Sequence, residues 1–270
     1  MTLHAARPAR AGHGRRARHR VDPLALLSLF SPLLILVFWE VGARTGVVDT
    51  RFFSSPSAVL STLGKLIASG EIVRHTGYSM MRAAAGLLLG GIPAVVIGLT
   101  MGLFPWVRAI LQPIVGAIYP VPKLALLPLI LLIFGLGEMS KIVVIAIGVF
   151  FPILINTTAG VLNINPIYRD VARSHGASRW NSYVTVALPG ALPMIFAGLE
   201  IALSVSLLLI VAAEFVGAQN GLGYMIWNSW QTFSVERMFA GLIVISAIGY
   251  LSNIALHAVK ARVIPWVKEK

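Results

Sequence analysis

Six stretches of this chain are long and apolar enough to cross a lipid bilayer as helices: residues 24–41, 83–104, 114–136, 142–162, 191–216 and 239–259. A helix rises 1.5 Å per residue, so the ~30 Å of hydrocarbon needs about 20 residues. Inside that layer every backbone N–H and C=O must be satisfied by the protein, which leaves only helices and closed barrels. The alternating apolar-out, polar-in pattern of a barrel strand is absent. Composition agrees, with 12 % charged and 57 % hydrophobic residues, where a soluble domain carries about 25 % charged. The expected fold is all-α: a polytopic membrane bundle of about six helices, one domain over 23–262.

The formal net charge of +12 invites a nucleic-acid partner. Its distribution argues against one, because the basic residues follow a membrane pattern and form no basic domain. The first twenty residues hold six arginines (Arg7, Arg10, Arg15, Arg16, Arg18, Arg20) and no acid. Residues 1–22 read as a disordered basic tail, a topology signal and a contact for anionic membrane lipid. The positive-inside rule then places the N-terminus in the cytosol, and six spans return the C-terminal tail, 263–270, to the same side. Cytosolic segments carry fourteen basic residues, including the short loop at Arg108. External segments carry seven: Arg44, Arg51, Lys65, Arg74, Arg82, Lys141 and Arg237. Val41-Gly42-Ala43 resembles a signal-cleavage site, but the apolar run is long and Trp39 and Glu40 stand where small residues are preferred, so the first helix is expected to stay. Between spans one and two, Ser55 suits an N-cap and Pro56 a first helical position. Val59, Leu63, Leu66 and Ile67 then share one face of an amphipathic helix at the outer surface. Zero cysteines exclude disulfides and thiolate sites. The six histidines are scattered, and no metal site is expected.

The least hydrophobic internal stretch is 163–189. Asn165-Pro166 suits a helix start, Gly176 a stop and Ser178 a second cap. Ile167, Val171 and Ser174 share a face of the first helix; Trp180, Tyr183 and Val184 share one of the second. Two short helices at an angle, outside the bilayer on the cytosolic side, either dock in a partner's groove or pack on their own membrane domain.

Asp170-Val171-Ala172, three residues, Gly176, nine residues, Val186, one residue and Leu188-Pro189 match a known spacing. This resembles the EAA loop of inner-membrane permease subunits of ATP-binding-cassette (ABC) importers, with Asp170, Val171 and Val186 in place of Glu, Ala and Ile. Four further segments are similar to the sulfonate, taurine and nitrate permease subfamily: Phe53 to Leu60, Tyr119 to Pro128, Phe134 to Lys141, and Gly217 to Tyr224. The resemblance covers most of 52–260. It implies the type I importer permease (MetI-like) fold in a bacterial inner membrane. It also implies coupling to a separate ATPase, in two copies, through Asp170, Val171, Ala172, Gly176, Ala177, Leu188 and Pro189. A homodimer of this chain and an extracytoplasmic substrate-binding protein are the other implied partners. The chain has no Gly-x-x-x-x-Gly-Lys-[Ser/Thr] phosphate loop. It is expected to be no enzyme and to hold no cofactor, ATP and Mg being bound by the ATPase. The cargo implied is a small anion such as a sulfonate, taurine or nitrate.

Ionisable groups inside spans are costly and are functional candidates by default. Lys123 lies among Pro120, Pro122 and Pro128, which kink the helix and free carbonyls. It either attracts an anion, snorkels to the interface or pairs with a glutamate. Glu214 and Glu200 lie in span five, and Glu200 stands where that family more often has a basic residue. The segment 217–230 is either an outer gate or an interfacial loop anchored by Trp227 and Trp230. Pro120, Pro122, Lys123, Glu214, Gly221 and Gly223 are thus the candidates for the translocation path. Two other classes are set against this reading. Intramembrane proteolysis lacks its Gly-x-Ser-Gly or Gly-x-Gly-Asp motif. A secondary transporter or channel has no need of the 163–189 helix pair.

Overall fold

The computed structural model describes residues 23–266. The basic tail 1–22 and the last four residues, 267–270, lie outside the described residues. Among the described residues eleven helices follow in order: α1 Pro23–Arg44, α2 Pro56–Ala68, α3 Glu71–Leu103, α4 Pro105–Ile118, α5 Leu127–Phe134, α6 Glu138–Leu162, α7 Pro166–Ser174, α8 Arg179–Asn181, α9 Leu188–Glu214, α10 Leu222–Gln231 and α11 Val235–Val263. A 3-10 turn, Lys123–Leu126, leads into α5, and a π-helical turn, Ser182–Ala187, leads into α9.

Four continuous helices among the described residues have the length and apolarity of a span: α3, α6, the stretch Ser182–Glu214 that includes α9, and α11. A fifth is made of two pieces, Pro105–Ile118 and Lys123–Phe134, bent by 85°. The kinked span expected at 114–136 is instead two helices that begin earlier, at Pro105, and the loop expected at Arg108 is wrong, since Arg108 lies inside α4. The physical reason is the run Tyr119-Pro120-Val121-Pro122: two prolines remove two N–H donors and hold their own φ, so the helix breaks there. The sixth expected span is α1, whose 22 residues measure about 33 Å at 1.5 Å per residue.

Helix α3 begins at Glu71, well before residue 83. Charges that suggested an external loop are helical because the protein supplies their partners, as Arg237 does for Glu71. Helix α2 carries the expected cap: Ser55 Oγ accepts from Ala58 N at 3.3 Å, with Pro56 in the first turn. Its apolar face is not laid on lipid. Val59 and Leu66 are buried against Leu222 and Met225 of α10 and Ala240 of α11, while Ile67 stays exposed. The α2 N-terminus is also tied to α1, because Glu40 accepts from both the N–H and the hydroxyl of Ser57, at 3.0 and 2.8 Å.

The core is the packing of α3 on α6 and of α6 on α9. Gly86, Gly90, Ala94, Gly98 and Gly102 recur every fourth residue, so they line one face of α3, and all five are buried. Against them lie Ile145, Ala146, Val149, Leu154, Thr157 and Val161 of α6. A Cβ placed on Gly98 would come within 2.7 Å of Thr157 Cβ and 2.9 Å of the Leu154 carbonyl oxygen. Small residues are what allow two helix backbones to approach this closely, and in lipid that close packing replaces the hydrophobic effect as the source of association.

Two glycines give opposite expectations. Gly98→Leu should lower stability in detergent by about 1–3 kcal/mol, the usual cost of overpacking. Gly64→Ala, on α2 with nothing within 4 Å of the added carbon, should be neutral or stabilising by about 0.5–1 kcal/mol. Thermal unfolding of the purified protein reads both. Equal behaviour of the two variants would refute the packing role of the α3 stripe.

Candidate functional site

The two ends of the α3–α6–α9 core carry different chemistry. At one end α6 stops at Leu162 and α9 begins at Leu188, and between them lies the 163–189 segment. Asn165 Oδ1 accepts from Ile167 N at 3.1 Å and opens α7. Gly176 ends it with φ +66°, in the left-handed region, and nothing lies within 4 Å of the place a Cβ would take. The requirement for glycine is thus one of backbone conformation. Ala177 N donates back to the Ala172 carbonyl at 2.9 Å, closing a Schellman-type cap. Ser178 Oγ then accepts from Asn181 N at 3.1 Å and starts the second helix. That second helix does not end at Leu188-Pro189. It runs through the π turn directly into α9, so the expected pair of short helices is one short helix followed by the first turns of a long one.

The coupling candidates fall together here. Asp170 and Val171 are exposed on α7, Ala172 and Ala177 are half-buried, and Leu188 and Pro189 form the first turn of α9. Ile167, Tyr168 and Val171 put apolar surface outward on α7, and Trp180 is 72 % exposed beside them in sequence. Trp180 stacks on Tyr183 at 6.3 Å, and Tyr183 donates its hydroxyl to the Val96 carbonyl of α3 at 2.7 Å. Behind α7 lies a cleft of about 630 Å³, lined by Ile164, Tyr168, Val171, Val186, Pro189 and Trp266 among others. Trp266 and the buried Ile264 show that the C-terminal segment is not wholly a free tail: its first residues pack against the protein.

At the opposite end is a buried charge network. Arg82, 1 % exposed, donates from Nε and Nη2 to Glu138 at 2.5 and 2.7 Å. Its Nη1 donates to Glu214 at 2.6 Å and to the Asn220 carbonyl at 2.7 Å. Glu214 also accepts from Ser79 Oγ at 2.9 Å and from Gly223 N at 2.8 Å. Gly221 N donates to His75 Nδ1 at 3.0 Å, and Leu222 N donates to Ser79 Oγ at 2.8 Å. The glycine-rich segment is thereby fastened to α3 and α9. A side chain at Gly223 would meet the Val211 carbonyl at 2.5 Å. Lys141, also 1 % exposed, donates to the Leu136 and Gly137 carbonyls at 2.8 and 3.0 Å.

Arg82 and Lys141, read as belonging to segments outside the spans, are buried in α3 and α6. This arrangement also changes what Glu214 does. The carboxylate is committed to Arg82, Ser79 and Gly223, and the acids Glu138 and Glu214 stand with the bases Arg82 and Lys141 in one cluster. The network matches its own charges and holds three helices and a loop together. Sequence reasoning missed Arg82, Ser79, His75 and Glu138 as members. The available signal was periodicity, since Ser79 and Arg82 fall on the face of α3 that continues into Gly86 and Gly90.

Lys123 is equally engaged. Its Nζ donates to the carbonyls of Ile118, Tyr119 and Val121 at 3.0, 2.9 and 2.7 Å, and lies 4.7 Å from the Phe151 ring centroid. The ammonium has three donors, and all three go to carbonyls at the break made by Pro120 and Pro122, where the Ile118 carbonyl also accepts from Val121 N at 3.1 Å. Among the described residues it forms no pair with a glutamate. Glu200 instead meets Lys260 of α11 at 3.4 Å and His257 at 3.9 Å.

Removing one member of a buried ion pair strands the other, at about 3–5 kcal/mol, whereas replacing both by apolar groups is far milder. Arg82→Met alone should therefore lower the unfolding temperature more than Arg82→Met combined with Glu214→Leu. A double variant less stable than the single, measured by thermal unfolding in detergent, would remove the pairing argument.

Among known proteins, a family model described as "Binding-protein-dependent transport system inner membrane component" matches residues 86–265 of the chain. A putative aliphatic sulfonates transport permease of Bacillus subtilis (strain 168) is 35 % identical over 239 residues, 88 % of this chain and 86 % of that protein. The taurine transport system permease of Escherichia coli (strain K12) is 34 % identical over 261 residues, 94 % and 95 % of the two chains. A nitrate import permease of Leptolyngbya laminosa is 36 % identical over 187 residues, 69 % and 67 % of the two chains.

Proposed function

Given that the chain belongs to the family of inner-membrane components of binding-protein-dependent transport systems, we propose that it forms the membrane path for a small oxyanion and is driven by a separate ATPase docked on 163–189. The observation that carries this reading is the capped α7 with its exposed apolar face, set at one end of the core and joined to α9. An exposed patch of Ile167, Tyr168, Val171 and Trp180 is the kind of aromatic and aliphatic surface that anchors in a partner's groove.

The helix that begins at Ser182 continues without a break to Glu214, 33 residues or about 50 Å at 1.5 Å per residue. A displacement applied at the ATPase end is therefore carried along one continuous helix to the other end of the membrane. There Glu214 is part of the network that fastens the 217–223 segment, α3 and α6. Coupling by a lever needs no chemistry in this chain. ATP and Mg belong to the ATPase, with two copies serving a pair of permease subunits. The termini face the cytosol in this reading, the Arg82 network faces outward, and an extracytoplasmic binding protein delivers the cargo. The cargo is proposed from the relatives' names: an aliphatic sulfonate, taurine or nitrate.

Gly176 gives the test. Gly176→Val should reduce copurification of the ATPase and uptake by at least about tenfold, because a β-branched residue does not sustain positive φ. Gly176→Asn, which tolerates that conformation, should keep most of both. Uptake that persists when the ATPase is deleted would instead favour a secondary transporter.

A further inference from the structure

The side chains first suspected of meeting the cargo, Lys123 and Glu214, are fully occupied within the protein. A different set is open. Between α9 and α11 runs a groove of about 500 Å³ whose walls are mostly apolar, with Ser204 of α9 and Ser246, Tyr250, Asn253 and His257 of α11 as its polar lining. At 100° per residue, positions 246, 250, 253 and 257 fall within about 60° of one another, and they climb about 16 Å of the helix. They form one polar stripe along α11, with Ser252 as the other polar residue between positions 246 and 257.

The two serine hydroxyls rest on carbonyls one turn back, Leu242 for Ser246 at 2.8 Å and Glu200 for Ser204 at 3.4 Å. Tyr250 and Asn253 have no hydrogen-bond partner among the described residues, and neither is buried in the protomer. An amide and a phenol without partners are costly against hydrocarbon, so this face meets water or polar groups. At the foot of the groove Glu200 faces Lys260 and His257, which leaves the rungs above uncharged.

We propose that this groove is the aqueous part of the translocation path, with Ser204, Ser246, Tyr250 and Asn253 as a ladder of uncharged hydrogen-bonding groups for an oxyanion. The proposal rests on the importer reading above. Hydroxyl and amide groups hold an oxyanion through several weak bonds and place no fixed countercharge along the ladder. Passage requires this, because a solute must bind well enough to enter and weakly enough to leave. One wall of the groove is α9, the helix joined to the 163–189 segment, so movement of that segment changes the width of the path.

The chain has no cysteine of its own, which makes the test direct. Ser246→Cys, Asn253→Cys and Ser204→Cys are each placed in the full importer in membranes, with Leu251→Cys, exposed on another face of α11, as control. A charged, membrane-impermeant thiosulfonate is the probe. The groove cysteines should react about tenfold faster than Leu251→Cys, because only a thiolate in water is reactive. Methanesulfonate, taurine or nitrate at millimolar concentration should slow that reaction. Groove cysteines as inert as the control overturn the proposal. So does a reaction rate at the groove cysteines that methanesulfonate, taurine and nitrate all leave unchanged. These failures are separable from failure of the importer reading: that reading falls only if the cysteine-free parent shows no ATPase copurification and no ATP-dependent uptake.

Discussion

The close approach of α3 to α6 is the contact on which the rest of the bundle depends. Lipid tails are as apolar as leucine, so burying leucine against leucine in a membrane gains little. What holds two helices together there is dense packing at short range, where many weak dispersion contacts add up. Gly86, Gly90, Ala94, Gly98 and Gly102 give α6 a flat face to lie on. Helix α9 then packs on the other side of α6, where Gly148 and Gly160 of α6 and Gly198 of α9 repeat the same device. Only with these three helices in place do Arg82, Glu138 and Glu214 come within bonding distance.

The buried charges of the core are each bonded to a neighbour, whereas Thr157 Oγ1 on α6 and Ser229 Oγ on α10 are buried without a partner among the described residues. At the broken span the carbonyls of Ile118, Tyr119 and Val121 each accept from the Lys123 ammonium. The Arg82 guanidinium does the same for two carboxylates and a loop carbonyl. Such groups fix geometry, and their bonds leave nothing over for a passing solute. The α9–α11 groove differs because Tyr250 and Asn253 have no partner among the described residues. In a membrane protein the polar residue that is satisfied and the one that is not therefore carry different information.

Much of the 163–189 segment was legible in the sequence because its signals are local. A cap at Asn165, a stop at Gly176 and a second cap at Ser178 each depend on residues a few positions apart. The continuity of the second helix with α9 was not legible, since Leu188-Pro189 reads as a boundary. Proline in the first turn of a helix breaks no hydrogen bond, and the π turn before it bridges the two pieces. Arg82 and Lys141 were misplaced for a related reason. Hydropathy counts a charge against a span, but that penalty is offset once partners are supplied. For Arg82 they arrive from residues 56 and 132 positions away; for Lys141 they are carbonyls at the turn before its own helix.

By itself the sequence determined that this chain is a helical membrane protein, roughly where its helices run, and which polar interruption sets it apart from other bundles. Those properties follow from apolar runs, turn residues and short spacings. The tertiary structure decided that the third span is broken, that the suspected Lys123 and Glu214 serve the framework, and that an uncharged stripe on α11 stays open beside α9. The reason is physical: whether a polar side chain in a membrane is engaged or available depends on what lies across from it, and that is set by the packing of helices distant in the chain.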